Sequence, residues 1–267
     1  MTSATRQATG WTKRAIAAIA ERPITAAVAA TAVVSAIAIA VPGIDLTVAS
    51  LFHRGDAGFP AERNATLIAL RNAGRGVTQM AVMALVVAAL GKLFLPMLSR
   101  AIGARVLLFL ATSLALGPGL LVNAFLKEVW GRPRPRDTLD FGGTLPFDPA
   151  WIPGGGCESN CSFPSGEASS SMWLVALAFV VPPAWRRAVA GVALVWCMVM
   201  SANRIAFGGH YLSDVLIAWG LVAIVVLACR RFFLESMGPM TEARIDTALG
   251  RAGDRILALV RRSGQGA

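Results

Sequence analysis

Six long apolar runs, set apart by polar or basic segments, constrain this chain more than any other feature of its sequence. They cover about Ile24–Val41, Val77–Leu98, Gly103–Phe125, Ser165–Val181, Ala188–Asn203 and Tyr211–Cys229. A helix of roughly 20 apolar residues crosses the hydrocarbon of a bilayer. The runs are continuous, rich in Ala, Leu and Val, and do not alternate apolar with polar positions. They fit membrane helices rather than barrel strands. The composition agrees: 55% of residues are hydrophobic and only 15% charged, too apolar for a soluble domain of this length. The expected architecture is an all-α polytopic membrane protein with six transmembrane helices. No internal repeat and no second soluble domain is visible.

Charge decides the orientation. With the N-terminus inside, the inner segments carry 16 of the 25 basic residues but only 5 of the 15 acids. The positive-inside rule then places both termini in the cytoplasm. The net charge of +10 reads as a topology signal, not as a nucleic-acid footprint. Residues 1–23 form a basic cytoplasmic segment, and 24–229 the membrane domain. Residues 230–267 form a basic cytoplasmic tail. Within it, Ile245, Leu249, Ile256, Leu259 and Val260 stand among arginines over 241–262, which fits an amphipathic surface helix or a solvated tail. Ala38-Ile39-Ala40 resembles a signal-peptidase site, so the first run serves as a signal anchor or a cleaved signal. Residues 61–72 read as a short helix on the membrane surface, and Pro118 as a kink in the third span. His53 has no partner at a recognisable spacing and reads as a surface histidine.

This topology brings the chemistry-bearing residues to one side, at the outer ends of four spans. Lys127-x6-Arg134-Pro135 follows the third span. Pro164-Ser165-Gly166-Glu167 opens the fourth. Arg204-x5-His210-x3-Asp214 joins the fifth to the sixth. His210 and Asp214, four apart, fall on one helix face. A carboxylate there accepts the imidazole Nδ1–H and leaves Nε2 free to attack. Lys127, Arg134 and Arg204 supply the fixed cations that a phosphoryl group in transfer requires. Arginine matches phosphate through bidentate contacts. The N–H groups near Ser165 and Gly166, at a helix start, add an anion site. Taken singly, Lys127 and Arg134 fit snorkelling side chains at the interface; the set does not.

The order and spacing of these segments resemble the three-part signature of the type 2 phosphatidic acid phosphatase superfamily, which includes the lipid phosphate phosphatases and vanadium haloperoxidases. The likeness covers about 107–229. It implies that His210 is the nucleophile that becomes a phosphohistidine and that Asp214 orients it. It implies phosphate binding by Lys127, Arg134, Arg204, Ser165 and Gly166. Arg132 falls outside the matched positions and reads only as a lipid-headgroup contact.

One position departs from the family: Glu167 stands where Pro-Ser-Gly-His is usual. In the family that histidine protonates the leaving group. Glu167 is therefore a general acid, or the leaving group needs little protonation, or the site binds lipid phosphate without turnover. Cys157 and Cys161 lie in the outer loop 127–164. An oxidising exterior permits a disulfide between them; free thiols or a metal site are the alternatives, with metal last. The aromatic residues of that loop are of the type that settles at headgroup depth.

The resulting expectation is a bacterial inner-membrane phosphatase with its site facing the periplasm or exterior, using no metal ion or cofactor. Its partners are the bilayer and a lipid phosphate or diphosphate: polyprenyl diphosphate, phosphatidylglycerol phosphate or phosphatidate, or a lipid A phosphate. The alternatives are a lipid phosphotransferase and a non-catalytic lipid-phosphate binding or transport protein.

Overall fold

The computed structural model of the protein describes residues 21–95, 102–154 and 156–264, with side chains to residue 259. Most of the N-terminal basic segment, Arg100, and the side chains of Val260, Arg261 and Arg262 lie outside the described residues. Within them the fold is all helical, with no strand beyond one isolated bridge between Thr138 and Leu145. The chain runs through α1 (Pro23–Ala40), the short α2 (Gly43–Ser50), α3 (Ala65–Phe94) and α4 (Ala104–Val129). The loop after α4 leads to α5 (Gly166–Trp173), α6 (Arg186–Ala206), α7 (Leu212–Cys229) and α8 (Pro239–Gly264).

Among the described residues, five helices are long and apolar enough to cross a membrane: α1, α3, α4, the stretch Pro183–Ala206 containing α6, and α7 with its extension to Ser236. The fourth expected span is different. α5 has 8 residues and passes into a 3-10 turn over Leu174–Phe179. At about 1.5 and 2.0 Å per residue these segments rise roughly 24 Å together, short of a hydrocarbon core of about 30 Å. Its first half is small and polar, Gly166-Glu167-Ala168-Ser169-Ser170-Ser171, and it packs between its neighbours instead of facing lipid.

Two other expectations change. No separate surface helix forms over 61–72. Asn64 accepts a hydrogen bond from the Leu67 amide at 3.1 Å, and this cap starts one continuous 30-residue helix at Ala65. The second span therefore begins a dozen residues early and carries Arg71 and Arg75. In α4, Pro118 sits inside a π-helical stretch, Ala115–Leu126. Wider turns there absorb the backbone bond that proline cannot make.

Packing fixes which helix ends share a side. Gly220 of α7 lies against Thr31 of α1. At one end of the bundle, α8 docks on α3 and α4 through Lys92–Asp246 and Arg105–Glu242, both at 2.6 Å. The tail is thus helical and bound to the bundle. Arg230 stacks on Phe179 at 4.7 Å, which puts the end of the α5 segment on this side as well. At the opposite end stand α2 and the start of α3, the end of α4, the start of α5, the end of α6 and the start of α7.

Several loop aromatics expected at headgroup depth form a core of their own. Trp151 packs on Phe163 at 4.9 Å and Trp130 at 5.4 Å, and its indole N–H donates to Ser35 Oγ at 2.8 Å. Large rings gain most when buried against one another, so the loop 127–164 folds over the helix ends. His53 is not a free surface residue either: it is half-buried, 5.3 Å from both Phe59 and Phe141.

Candidate active site

His210 stands on the five-residue turn between α6 and α7. Gly208, with φ +58°, makes that turn, in a region that costs other residues energy. A Cβ there would also strike Phe59. The imidazole is buried. Its Nδ1 lies 2.7 Å from the carbonyl oxygen of Ser162 and 3.7 Å from Asp214 Oδ2. A carbonyl only accepts, so Nδ1 carries the proton and Nε2 the free lone pair. The tautomer is the expected one, but its immediate fixer is the Ser162 carbonyl rather than Asp214. Burial lowers the His210 pKa to about 4, Arg204 and Arg134 push the same way, and Asp214 opposes them. The ring is a neutral nucleophile at neutral pH.

Asp214 holds the surrounding backbone. Its Oδ2 accepts from Ser162 Oγ at 2.5 Å and from the Tyr211 amide at 2.8 Å, reaching back over the first turn of α7 as a capping-box acid does. Its Oδ1 accepts from Arg132 Nη1 at 2.5 Å. Its main-chain carbonyl accepts from the Ser165 amide at 3.1 Å. Asp214 thereby ties the segments around His210 and Ser165 together.

Arg132 corrects the sequence reading. It is no headgroup contact: the side chain is 0% exposed. Its Nη2 donates to Asp45 Oδ2 at 2.9 Å and its Nε to the Asp148 carbonyl at 2.7 Å. Its plane lies 4.3 Å from the Tyr211 ring. Burial works against its charge, and Asp214 and Asp45 outweigh burial, so its pKa sits above the ordinary value. Asp45 also accepts from the Ser213 amide at 2.9 Å. Sequence reasoning missed Arg132, Asp45 and Ser162 in these roles. The one available signal was an acid, Asp45, just past the first span.

The cations gather beside His210. Arg134 is buried and pinned by Asn160, through the carbonyl at 2.6 Å and Oδ1 at 3.0 Å. Its remaining Nη1 reaches the Gly209 carbonyl at 3.3 Å. Burial, then Arg136, depress its pKa. Arg204 is 1% exposed. Its Nε faces Glu167 Oε2, while its Nη1 is buried without a hydrogen-bond partner among the described residues. Lys127 is within electrostatic reach of Arg134, Arg204 and Glu167. Ser165 caps α5 by accepting from the Ala168 amide at 3.3 Å, and Gly166 packs directly on Asn123.

Glu167 joins the cluster as a carboxylate bound to arginine. Its Oε1 accepts from Arg71 Nε at 3.1 Å and Arg75 Nε at 3.0 Å, and its Oε2 faces Arg204. Its Oε1 is hydrogen-bonded twice, while its Oε2 is ion-paired to Arg204 and has no hydrogen-bond partner among the described residues. Cys157 and Cys161 are joined as a disulfide, one residue before Ser162.

The arrangement offers a neutral imidazole nitrogen beside buried guanidiniums, one with an orphan N–H. That is the inventory for in-line attack on a phosphoryl group whose charge the cations absorb.

The chain is similar to several known proteins. Over 124 residues, 46% of this chain, it is 49% identical to a lipid A 4'-phosphatase of Rhizobium leguminosarum and matches 53% of that protein. Over 112 residues it is 38% identical to a lipid A 4'-phosphatase of Francisella tularensis subsp. novicida, matching 42% of this chain and 50% of that one. The chain thus spans about half the length of the curated relatives it matches. Among solved structures, a transmembrane PAP2 type phosphatidylglycerolphosphate phosphatase from Bacillus subtilis is 18% identical, with TM-score 0.49, covering 81% of this chain and 98% of that one. Residues 105–237 match the family model described as the PAP2 superfamily, a segment that holds Lys127, Arg134, Ser165, Arg204, His210 and Asp214, and through it this chain belongs to that superfamily.

Proposed function

We propose that the protein is a membrane lipid phosphatase that removes a phosphate from a lipid head group, with lipid A 4'-phosphate as the substrate the relatives favour. The observation that carries this reading is the neutral, Nδ1-protonated His210 beside Arg204, whose buried Nη1 has no hydrogen-bond partner among the described residues. Nε2 attacks phosphorus, the P–O bond to the lipid breaks, and the departing lipid oxygen takes a proton from water. Arg204, Arg134 and Lys127 hold the equatorial oxygens. Asp214 and Ser162 steady the imidazole as it becomes cationic phosphohistidine. Water then cleaves the P–N bond and returns Nε2. Three protein cations supply the charge stabilisation that a metal ion gives elsewhere, so the reaction proceeds without one.

The α5 segment completes a sixth membrane passage, its short rise covered by flanking turns. Both termini face the cytoplasm and the site faces the periplasm, as the distribution of arginines requires. The test is phosphate release from lipid A, phosphatidate, phosphatidylglycerol phosphate and a polyprenyl diphosphate. Turnover that His210→Ala abolishes supports the reading. Tight lipid binding with no turnover by the native chain sinks it in favour of a binding protein.

A further inference from the structure

Helix α3 lies outside the family-matched residues 105–237, yet it supplies two of the three guanidiniums on Glu167. Arg71 and Arg75 are four apart, so they leave α3 on one face. Each meets Glu167 through Nε alone, which turns the forked end of the guanidinium elsewhere. Arg71 lies over the Phe207 ring at 5.8 Å, and Arg204 over the same ring at 5.5 Å. Arg75 is half exposed and lines a cavity of about 320 Å³ together with Gln79, Asn123, Lys127 and Glu167. His210 and Arg134 do not line that cavity. Glu167 therefore stands between two anion-seeking regions: the His210 side, reached by Arg204, and the Arg75 side, reached from α3.

Charge points the same way. Arg71, Arg75 and Arg204 pair with Glu167 and Lys127 lies within its electrostatic reach, so four cations gather there against Glu167 and Glu128, the latter beside Lys127. Cations outnumber carboxylates in this cluster, which suits an anionic group at a low-dielectric boundary.

We propose that the Arg75-lined cavity is a second anion subsite. In it Arg75, held by Glu167 with Arg71 beside it on the same carboxylate oxygen, recognises an acidic group of the substrate head group other than the phosphate at His210. The substrate class is then a lipid bearing two anionic groups, such as a bis-phosphorylated or diphosphate head group. Glu167 is a positioning residue that fixes three arginines, which explains why the chain keeps an acid in place of the family histidine. This inference rests on the reading that the cleaved phosphate sits at His210.

The test uses calorimetric titration of the full-length protein in detergent with inorganic phosphate and with alkylene diphosphonates from methylene to butylene, which cannot be hydrolysed. The best diphosphonate is expected to bind at least about tenfold tighter than phosphate, the gain expected of one further charge-assisted contact. In Arg71→Gln/Arg75→Gln that advantage is expected to shrink by about fivefold or more, and Arg71→Lys/Arg75→Lys to recover much of it. Equal affinity for phosphate and every diphosphonate in the native chain overturns the subsite. So does an advantage that persists in the double Gln variant, or a parallel loss of both ligands, which would make the arginines mere supports of Glu167. Turnover by His210→Ala is scored separately: a variant that stays active defeats the catalytic reading, while the titration still decides the subsite.

Discussion

His210 works as a nucleophile only while its imidazole is neutral, and burial is what keeps it so. Its pKa near 4 lies well below the free value of about 6.5. Two consequences share a sign. The acidic limb of kcat/KM is expected near pH 4, not near 6.5, in a pH–rate profile of the purified protein. Between 6.5 and 4 the unfolded chain also takes up a proton that the folded imidazole refuses, so stability falls as pH drops through that window. A limb near 6.5 would show a solvated ring. At Arg132 the arithmetic is steeper. Arg132→Ala leaves the buried carboxylates Asp45 and Asp214 without their cation, an expected loss of about 3–5 kcal/mol in detergent unfolding. Arg132→Met with Asp45→Asn removes one of the stranded charges and is expected to recover part of it. Neither residue was legible in its role. The nearest sequence signals around Arg132 are Pro and Gly, while its partners lie 82 and 87 positions away. His210 and Asp214 were legible because their spacing is local, though the Ser162 carbonyl as the fixer of Nδ1 was not.

Helices and loops carry these residues to one place. The apolar runs announced themselves, since a bilayer demands length and hydropathy that any reading detects. What they hid was where α3 begins and how short α5 is. Polar residues at 65–76 masked the early helix, and the same residues give it Arg71 and Arg75. The serines and glycine opening α5 trade membrane length for close packing beneath the site. One element-scale prediction concerns the α1–α7 seam. Gly220 meets the Thr31 side chain, so Gly220→Leu is expected to destabilise the bundle by about 1–3 kcal/mol through overpacking, read as a lower midpoint of thermal unfolding. A second concerns the loop. The disulfide ends at Cys161, next to the carbonyl that holds His210. Cys157→Ser is expected to lower kcat several-fold while leaving the helices intact by circular dichroism. An unchanged kcat would show that packing around Phe163 suffices to place Ser162.

For the whole molecule, the site and the docked α8 mark opposite ends of one bundle. Orientation follows if arginine counts govern insertion. Cys157 and Cys161 are paired and Cys197 and Cys229 buried, so a cysteine introduced at Asp140 or Thr247 reports cleanly in intact cells. A membrane-impermeant maleimide is expected to label the first and not the second. The opposite pattern would turn the site towards the cytoplasm and exclude any substrate confined to the outer leaflet. The central claim is chemical, and phosphate release from lipid A by purified protein, with and without His210→Ala and with a chelator present, tests it most directly. The account predicts release that survives the chelator and falls at least about 10³-fold in His210→Ala, the scale on which removing a nucleophile acts. Release that continues in His210→Ala, or that the chelator stops, would contradict it.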